Sequence, residues 1–265
     1  MRHTRTRSHP FRLLIPLLAA VLIILCLFAA FGEQFLDIRP EAGTVEETIW
    51  LYAKENGLSL NDYPQSLIEL LRKNPETKKF VLEYPIAKDA VPVIDMTPYL
   101  DTQSVPLLMQ WDQRWGYIPY GSDVAGLTGC GPVCLSMAAI FVTGDPTFSP
   151  DYMLSFSLEN QHYVPGSGSS WTLISQGGPK LGLEVQELPL DEGRIRKSLE
   201  AGKPVICAMG PGDFTSTGHF IVITGLQDGM FRVNDPNSLK NSQKLWDYDT
   251  IKGQIRNLWS IGPGE

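Results

Sequence analysis

The longest uninterrupted apolar run covers residues 13–31, nineteen positions without a charge, directly after Arg2, Arg5, Arg7 and Arg12. At about 1.5 Å per residue, a helix of that length reaches roughly the 30 Å of a bilayer's hydrocarbon. Arginines ahead of the run, with Glu33 and Asp37 behind it, predict a cytoplasmic N-terminus and an extracytoplasmic body. The run is long for the h-region of a cleaved signal peptide, about 7–15 residues. This favours a retained single-pass anchor, though Ala29 and Ala30 leave cleavage, and hence secretion, open. A lipoprotein signal at Cys26 fits poorly, because Ile23, Ile24 and Leu25 are bulky.

The pattern then changes. After a short stalk, helical spacing appears over 45–56, with Thr44 as N-cap and Gly57 as stop. It recurs over 64–73, where Ile68, Leu70 and Leu71 are apolar, and over 76–82. Residues 32–84 thus form a stalk and a small helical segment, too small to hold a core alone and expected to pack on the larger domain. Residues 85–104 carry Pro85, Pro92 and Pro98 without a period and read as an extended linker. The main domain spans 105–265. Its centre, 130–143, is apolar on nearly all sides, the mark of a buried helix. Pro132 stands in its first turn and Gly144 at its stop. Strand-like runs come later, at 183–188, 204–209, 219–226 and 230–234. A helix followed by strands predicts an α+β fold.

Composition agrees with a packed body: 43% of residues are hydrophobic and 19% charged. Setting aside the four N-terminal arginines leaves 18 basic against 29 acidic residues. An acidic body argues against nucleic acid as a partner.

Candidate chemistry centres on Thr128-Gly129-Cys130-Gly131-Pro132. A cysteine at a helix N-terminus meets free backbone N–H groups and the positive end of the dipole, which favour a thiolate. Gly129 and Gly131 leave room for another molecule's backbone, and the plain alternative is a buried inert thiol, a description that suits Cys134. The body's two histidines are His162 and His219; the first reads as a loop residue, and the second opens a strand run after Gly218. A three-residue loop, Gln227-Asp228-Gly229, with a G1 bulge would pair Leu226 with Met230 and Ile221 with Asp235. His219 and Asp235 would then be diagonal neighbours on one face, about 7 Å apart at Cα, with Asn234 on the other face. A two-residue loop would reverse that parity. Asp235 is placed to fix the imidazole tautomer. Gln110 offers an amide donor for an oxyanion, or is a surface glutamine.

These residues resemble a known family. Gln110-Trp-Asp-Gln-Arg-Trp-Gly116, Tyr120-Gly121, Gly129-Cys-Gly-Pro132, Gly218-His219 and Asn234-Asp-Pro236 look like the bacteriocin-processing (double-glycine leader) cysteine peptidases, and more closely their stand-alone secreted relatives. The resemblance covers about 150 residues and implies a papain-like fold, a central helix carrying the nucleophile on an antiparallel sheet. It implies Cys130 as nucleophile, His219 as base, Asp235 as orienting acid and Gln110 as oxyanion residue. It also implies a peptide or amide substrate. A zinc site from Cys130, His219 and Asp235 is possible on residue type, but no close-spaced ligand pair supports it, so no metal and no cofactor are expected. The leader-cleaving members are fused to an export ATPase, and no phosphate-binding loop of that kind is present here. The double-glycine substrate is therefore not carried over.

Three functional readings arise: a peptide or amide hydrolase, a non-catalytic binding domain on the same fold, and a thioester-forming transpeptidase or acyltransferase. The intact set of four residues favours catalysis. Residues 164–171, with Trp171, form either a substrate lip or a plain surface loop. Cys134 and Cys207 either bridge or remain buried free thiols. The helical segment over 45–82 is either a structural cap or an inhibitory pro-segment. Oligomeric state has no signature in the sequence.

Overall fold

The computed structural model describes residues 39–100 and 103–264. The apolar run at 13–31 lies outside the described residues. Among the described residues, no helix is long and apolar enough to cross a membrane.

The described residues fall into two compact units, divided after Leu60. In the first, helix α1 (Val45–Glu55) is capped by Thr44, whose side chain accepts from the Glu47 N–H. The buried Glu47 carboxylate accepts in turn from the Gly43 N–H at 2.6 Å and pairs with Arg39. These bonds satisfy donors that a helix start otherwise leaves open.

The second unit begins with α2 (Gln65–Lys73) and α3 (Lys78–Ala87). The expected linker start at residue 85 is corrected here, because α3 runs through Pro85 to Ala87. The missing Pro N–H costs the helix one bond near its end, where fraying makes the loss small. These helices are tied into the unit by polar bonds. Tyr117 Oη donates to the Phe80 carbonyl at 2.8 Å, and Gln113 Nε2 donates to Glu83 at 2.7 Å. The irregular chain beyond α3 contributes Met96, Val105 and Leu108 to the main core.

The central helix forms as expected. It is α4 (Cys130–Thr143), closed by Gly144 at φ +67°. Ten of its residues, from Gly131 to Ile140, are buried. Each large apolar side chain so covered contributes about 1.5–3 kcal/mol. Helix α5 (Pro150–Glu159) packs beside it.

Two short hairpins, β1 (Pro119–Tyr120) with β2 (Asp123–Val124) and β3 (Tyr163–Val164) with β4 (Gly168–Ser169), flank the helix. The main sheet contains β5 (Leu183–Glu187), β6 (Val205–Met209), β7 (His219–Gln227), β8 (Met230–Asn234), β9 (Leu245–Trp246) and β10 (Ile255–Pro263). Its order is β5-β10-β6-β7-β8-β9, and every pairing is antiparallel. The strand runs expected at 183–188, 204–209, 219–226 and 230–234 are all present. β10 has no counterpart among them, because Arg256, Asn257 and Ser260 dilute its alternation, yet it sits between β5 and β6.

Both faces are covered at the centre of the sheet, where β6 is apolar and buried throughout. Ile206, Ala208, Phe220, Val222 and Trp259 pack with Val133, Met137 and Ile140 of α4. Val205, Cys207, Ile221, Ile223 and Leu258 pack on the opposite face with Ile195 of α6 (Glu192–Glu200). This alternation decides the cysteine question. Cys134 belongs to the helix-side core and Cys207 to the other, and both are free thiols.

Candidate active site

The nucleophile candidate sits where α4 begins. Gly129 is the N-cap residue and supplies no side-chain cap. The N–H groups of Cys130 and Gly131 have no acceptor within the helix, and Pro132 has no N–H. A negative charge growing at Cys130 therefore meets unspent donors. Cys130 is half-buried and lines a cleft of about 790 Å³, together with Gln110, His219, Gly218 and Asn237.

The β7–β8 hairpin brings His219 to that point by a route different from the expected one. Gln227 pairs with Met230, so the loop is two residues, Asp228-Gly229, with φ of 52° and 79°. Positive φ at both positions is the type I′ turn. That turn alone would reverse the parity. The register shifts between Ile223 and Gly225, however, leaving Thr224 as a bulge, and beyond it Val222 pairs with Asn234. The bulge restores the parity that the turn removed. His219 Nε2 donates to Asp235 Oδ1 at 2.7 Å. Asn234 points the other way, its amide donating to the carbonyls of Val105 and Pro106 at 3.1 and 3.0 Å.

His219 is buried and lines the same cleft as Cys130, near enough for the thiol to act on its ring. With Nε2 taken by Asp235, Nδ1 is the nitrogen left for sulfur. Burial pushes the imidazole toward its neutral form. The Asp235 charge and hydrogen bond, helped by Cys130, outweigh burial and lift the pKa to about 10. Asp235 is 1% exposed. Its Oδ1 also accepts from the Asn237 N–H at 2.9 Å, and its Oδ2 accepts from Asn241 Nδ2 at 2.8 Å. Neither asparagine stands out in the sequence; both lie within six residues of Asp235, the only signal available.

Gln110 is buried at the cleft, not on the surface. Its Nε2 donates to the Gly126 carbonyl at 2.9 Å, leaving a second N–H on the same nitrogen. Its Oε1 is buried without a partner among the described residues. Its backbone N–H donates to the Pro236 carbonyl at 2.7 Å, which couples Gln110 to the turn after Asp235.

The glycines divide. A Cβ at Gly131 would lie 2.7 Å from Ser169 Cβ, and one at Gly129 would lie 2.7 Å from the Ala125 carbonyl. The room at these two positions is filled by the protein's own chain and not by an approaching molecule. Gly218 faces open space in the cleft. Trp171 is half exposed, packs edge-on against Trp259 at 6.2 Å, and is not part of the cleft lining. Its neighbours Gly166, Ser167 and Gly168 do line the cleft. His162 is buried away from the cleft, with Nδ1 2.9 Å from Thr172 Oγ1. Among the described residues, no cluster of three or more metal-ligating side chains occurs.

Residues 102–261, more than half of the chain, match the family model described as the Peptidase_C39 like family. The chain belongs to the Peptidase_C39 like family. This agrees with the resemblance read from the motifs. No curated protein matches this C39-like chain. Among solved structures, it is similar to the peptidase domain of Streptococcus ComA, described as a bi-functional ABC transporter involved in quorum sensing. Identity there is 17% and the TM-score 0.42, covering 60% of this chain and 98% of that one. It is also similar to a protein from Bacillus anthracis described as a C39-like peptidase. In that case identity is 13% and the TM-score 0.36, covering 61% and 96%.

Proposed function

We propose that this C39-like chain is a cysteine peptidase or amidase held outside the cell by an anchor at residues 13–31. The observation that carries the proposal is the meeting of three groups at one cleft: a half-buried thiol at a helix N-terminus, an imidazole lining the same cleft, and a buried carboxylate 2.7 Å from that imidazole. In this reading Cys130 is the nucleophile, His219 the base and then the acid, Asp235 the orienting group, and Gln110 an oxyanion donor.

The steps derive from those roles. With the proton shared by Cys130 and His219 resting on His219 Nδ1, where the charge of Asp235 holds it, sulfur attacks the amide carbon. The carbonyl oxygen becomes an oxyanion held by the Cys130 N–H and the second N–H of Gln110 Nε2. As the C–N bond breaks, His219 gives its proton to the leaving amine. Water, deprotonated by His219, then attacks the thioester, releasing the acid and restoring the thiol.

Gln110→Ala tests the oxyanion role. Removing one such donor is expected to lower kcat by about 10²-fold, with KM little changed, in steady-state assays on a fluorogenic peptide. An unaltered kcat would remove Gln110 from the mechanism.

The cleft also bears on the substrate. Among the described residues, Lys73 is the only charged one lining it apart from His219, and no carboxylate does so. A substrate carrying a carboxylate near the scissile bond is therefore favoured. Lys73→Glu should raise KM for such peptides by roughly threefold to fivefold, the scale of an exposed ion pair. The effect should fade at high salt and vanish for neutral peptides. Equal KM changes for acidic and neutral peptides would refute the preference.

A further inference from the structure

Asp235 stands one residue beyond the end of β8, where the ladder no longer holds it. The next loop fixes it instead, and that loop is gripped from a distant part of the chain. Both Glu76 carboxylate oxygens accept backbone N–H groups at the start of α7 (Leu239–Ser242): Leu239 N–H at 2.9 Å and Lys240 N–H at 2.9 Å. Helix α7 carries Asn241, whose amide donates to Asp235 Oδ2. Two residues before Glu76, Asn74 Nδ2 donates to the Asn237 carbonyl at 2.6 Å. Trp111 Nε1 donates to the same carbonyl at 3.1 Å. The Asn237 N–H is a donor to Asp235 Oδ1. One carboxylate oxygen of Asp235 is thus held by Asn237, which Asn74 bonds directly, and the other by Asn241, on the short helix whose first two residues Glu76 bonds.

We propose that the stretch between α2 and α3 is a permanent clamp on Asp235, with Glu76, Asn74 and Asn241 as positioning residues for the His219–Asp235 pair. This rests on the peptidase reading and extends it to a segment 163 residues away in sequence. Asn74 of this stretch also walls the cleft, beside Leu70 and Lys73 of α2. The stretch is therefore built into the site, and its removal would loosen the triad acid without uncovering a finished enzyme. A removable inhibitory segment has no need of bonds to the loop that carries the acid. The geometry gives the clamp a distinct signature: a carboxylate that drifts from Nε2 lets burial win over attraction, and His219 gives up its proton at lower pH. The ionisable groups facing His219 are Cys130 from α4 and Asp235 from the end of β8, with Lys73 of α2 sharing the cleft.

The test uses the full chain in detergent, with Glu76→Ala and Asn241→Ala made separately and the imidazoles followed by histidine-selective NMR. The wild-type His219 should hold its proton to about pH 10. Either variant should lower that midpoint by about one unit or more and reduce kcat about tenfold at pH 9, with KM within about twofold. Glu76→Gln, which keeps one acceptor oxygen, should recover part of both losses. An unmoved His219 midpoint in both variants, whatever happens to melting temperature, would overturn the clamp. If Glu76→Ala does not fold, Asn241→Ala carries the test through the same midpoint. The midpoint is read without turnover. An inactive wild type whose midpoint still drops in the variants would refute the peptidase reading alone.

Discussion

Cys130→Ala should abolish hydrolysis, by about 10⁴-fold or more. Losses of that order accompany the removal of an atom that forms the covalent intermediate. Neither of the other two thiols among the described residues can take its place. Cys134, four residues along the same helix, is fully buried, and burial together with nearby negative charge holds it as a thiol. Cys207 is likewise pushed up by burial and packs on the far face of the sheet. The measurement is turnover of a quenched peptide library by wild type and variant, with peptide binding followed in parallel. The variant of a peptidase should bind peptide and release no product. Wild type that binds but releases nothing would instead mark a non-catalytic binding domain.

Asp235→Ala carries the second large effect, expected at about 10³–10⁴-fold in kcat, the range for losing the group that sets a catalytic imidazole's tautomer. The effect is electrostatic and has a sign. In the native chain, burial lowers the His219 pKa, and the Asp235 carboxylate more than reverses this to about 10. Without the carboxylate only Cys130 is left to oppose burial, so the pKa should fall well below about 10. The residual activity should then disappear on the alkaline side at a much lower pH than in wild type. Stability should obey the same linkage. A raised folded-state pKa contributes stability that is full below about pH 6.5 and is lost as pH rises toward about 10. Denaturant midpoints measured from about pH 6 to about pH 10 should fall in wild type and stay nearly flat in Asp235→Ala. Parallel curves would show that the pair is not what raises the imidazole.

Much of this site is readable from residue order, and the exceptions have physical causes. The buried helix at Cys130 and four strands are visible because their periods are unbroken. The sequence brings His219 to Asp235 through the wrong turn. A type I′ turn, for which Asp228-Gly229 is a favoured pair, and a bulge at Thr224 offset one another, and the bulge leaves no clear mark in the sequence. Gly129 and Gly131 do mark a close approach, but the approaching chain is Ala125 and Ser169. Composition cannot tell a substrate's backbone from the protein's own. The grip of Glu76 on Leu239 and Lys240 is invisible for a simpler reason. A surface glutamate after a proline has the same local pattern whether or not a distant helix end awaits it.

In the proposed mechanism, catalysis depends on one reactive sulfur. Brief exposure of the folded chain to a limiting thiol-directed alkylating agent at neutral pH, followed by peptide mapping, reads it directly. A single adduct at Cys130, with Cys134 and Cys207 labelled only after unfolding and the Cys130 rate collapsing in His219→Ala, is the predicted result. Cys130 alkylated no faster than in the unfolded chain, or equally fast without His219, would contradict it.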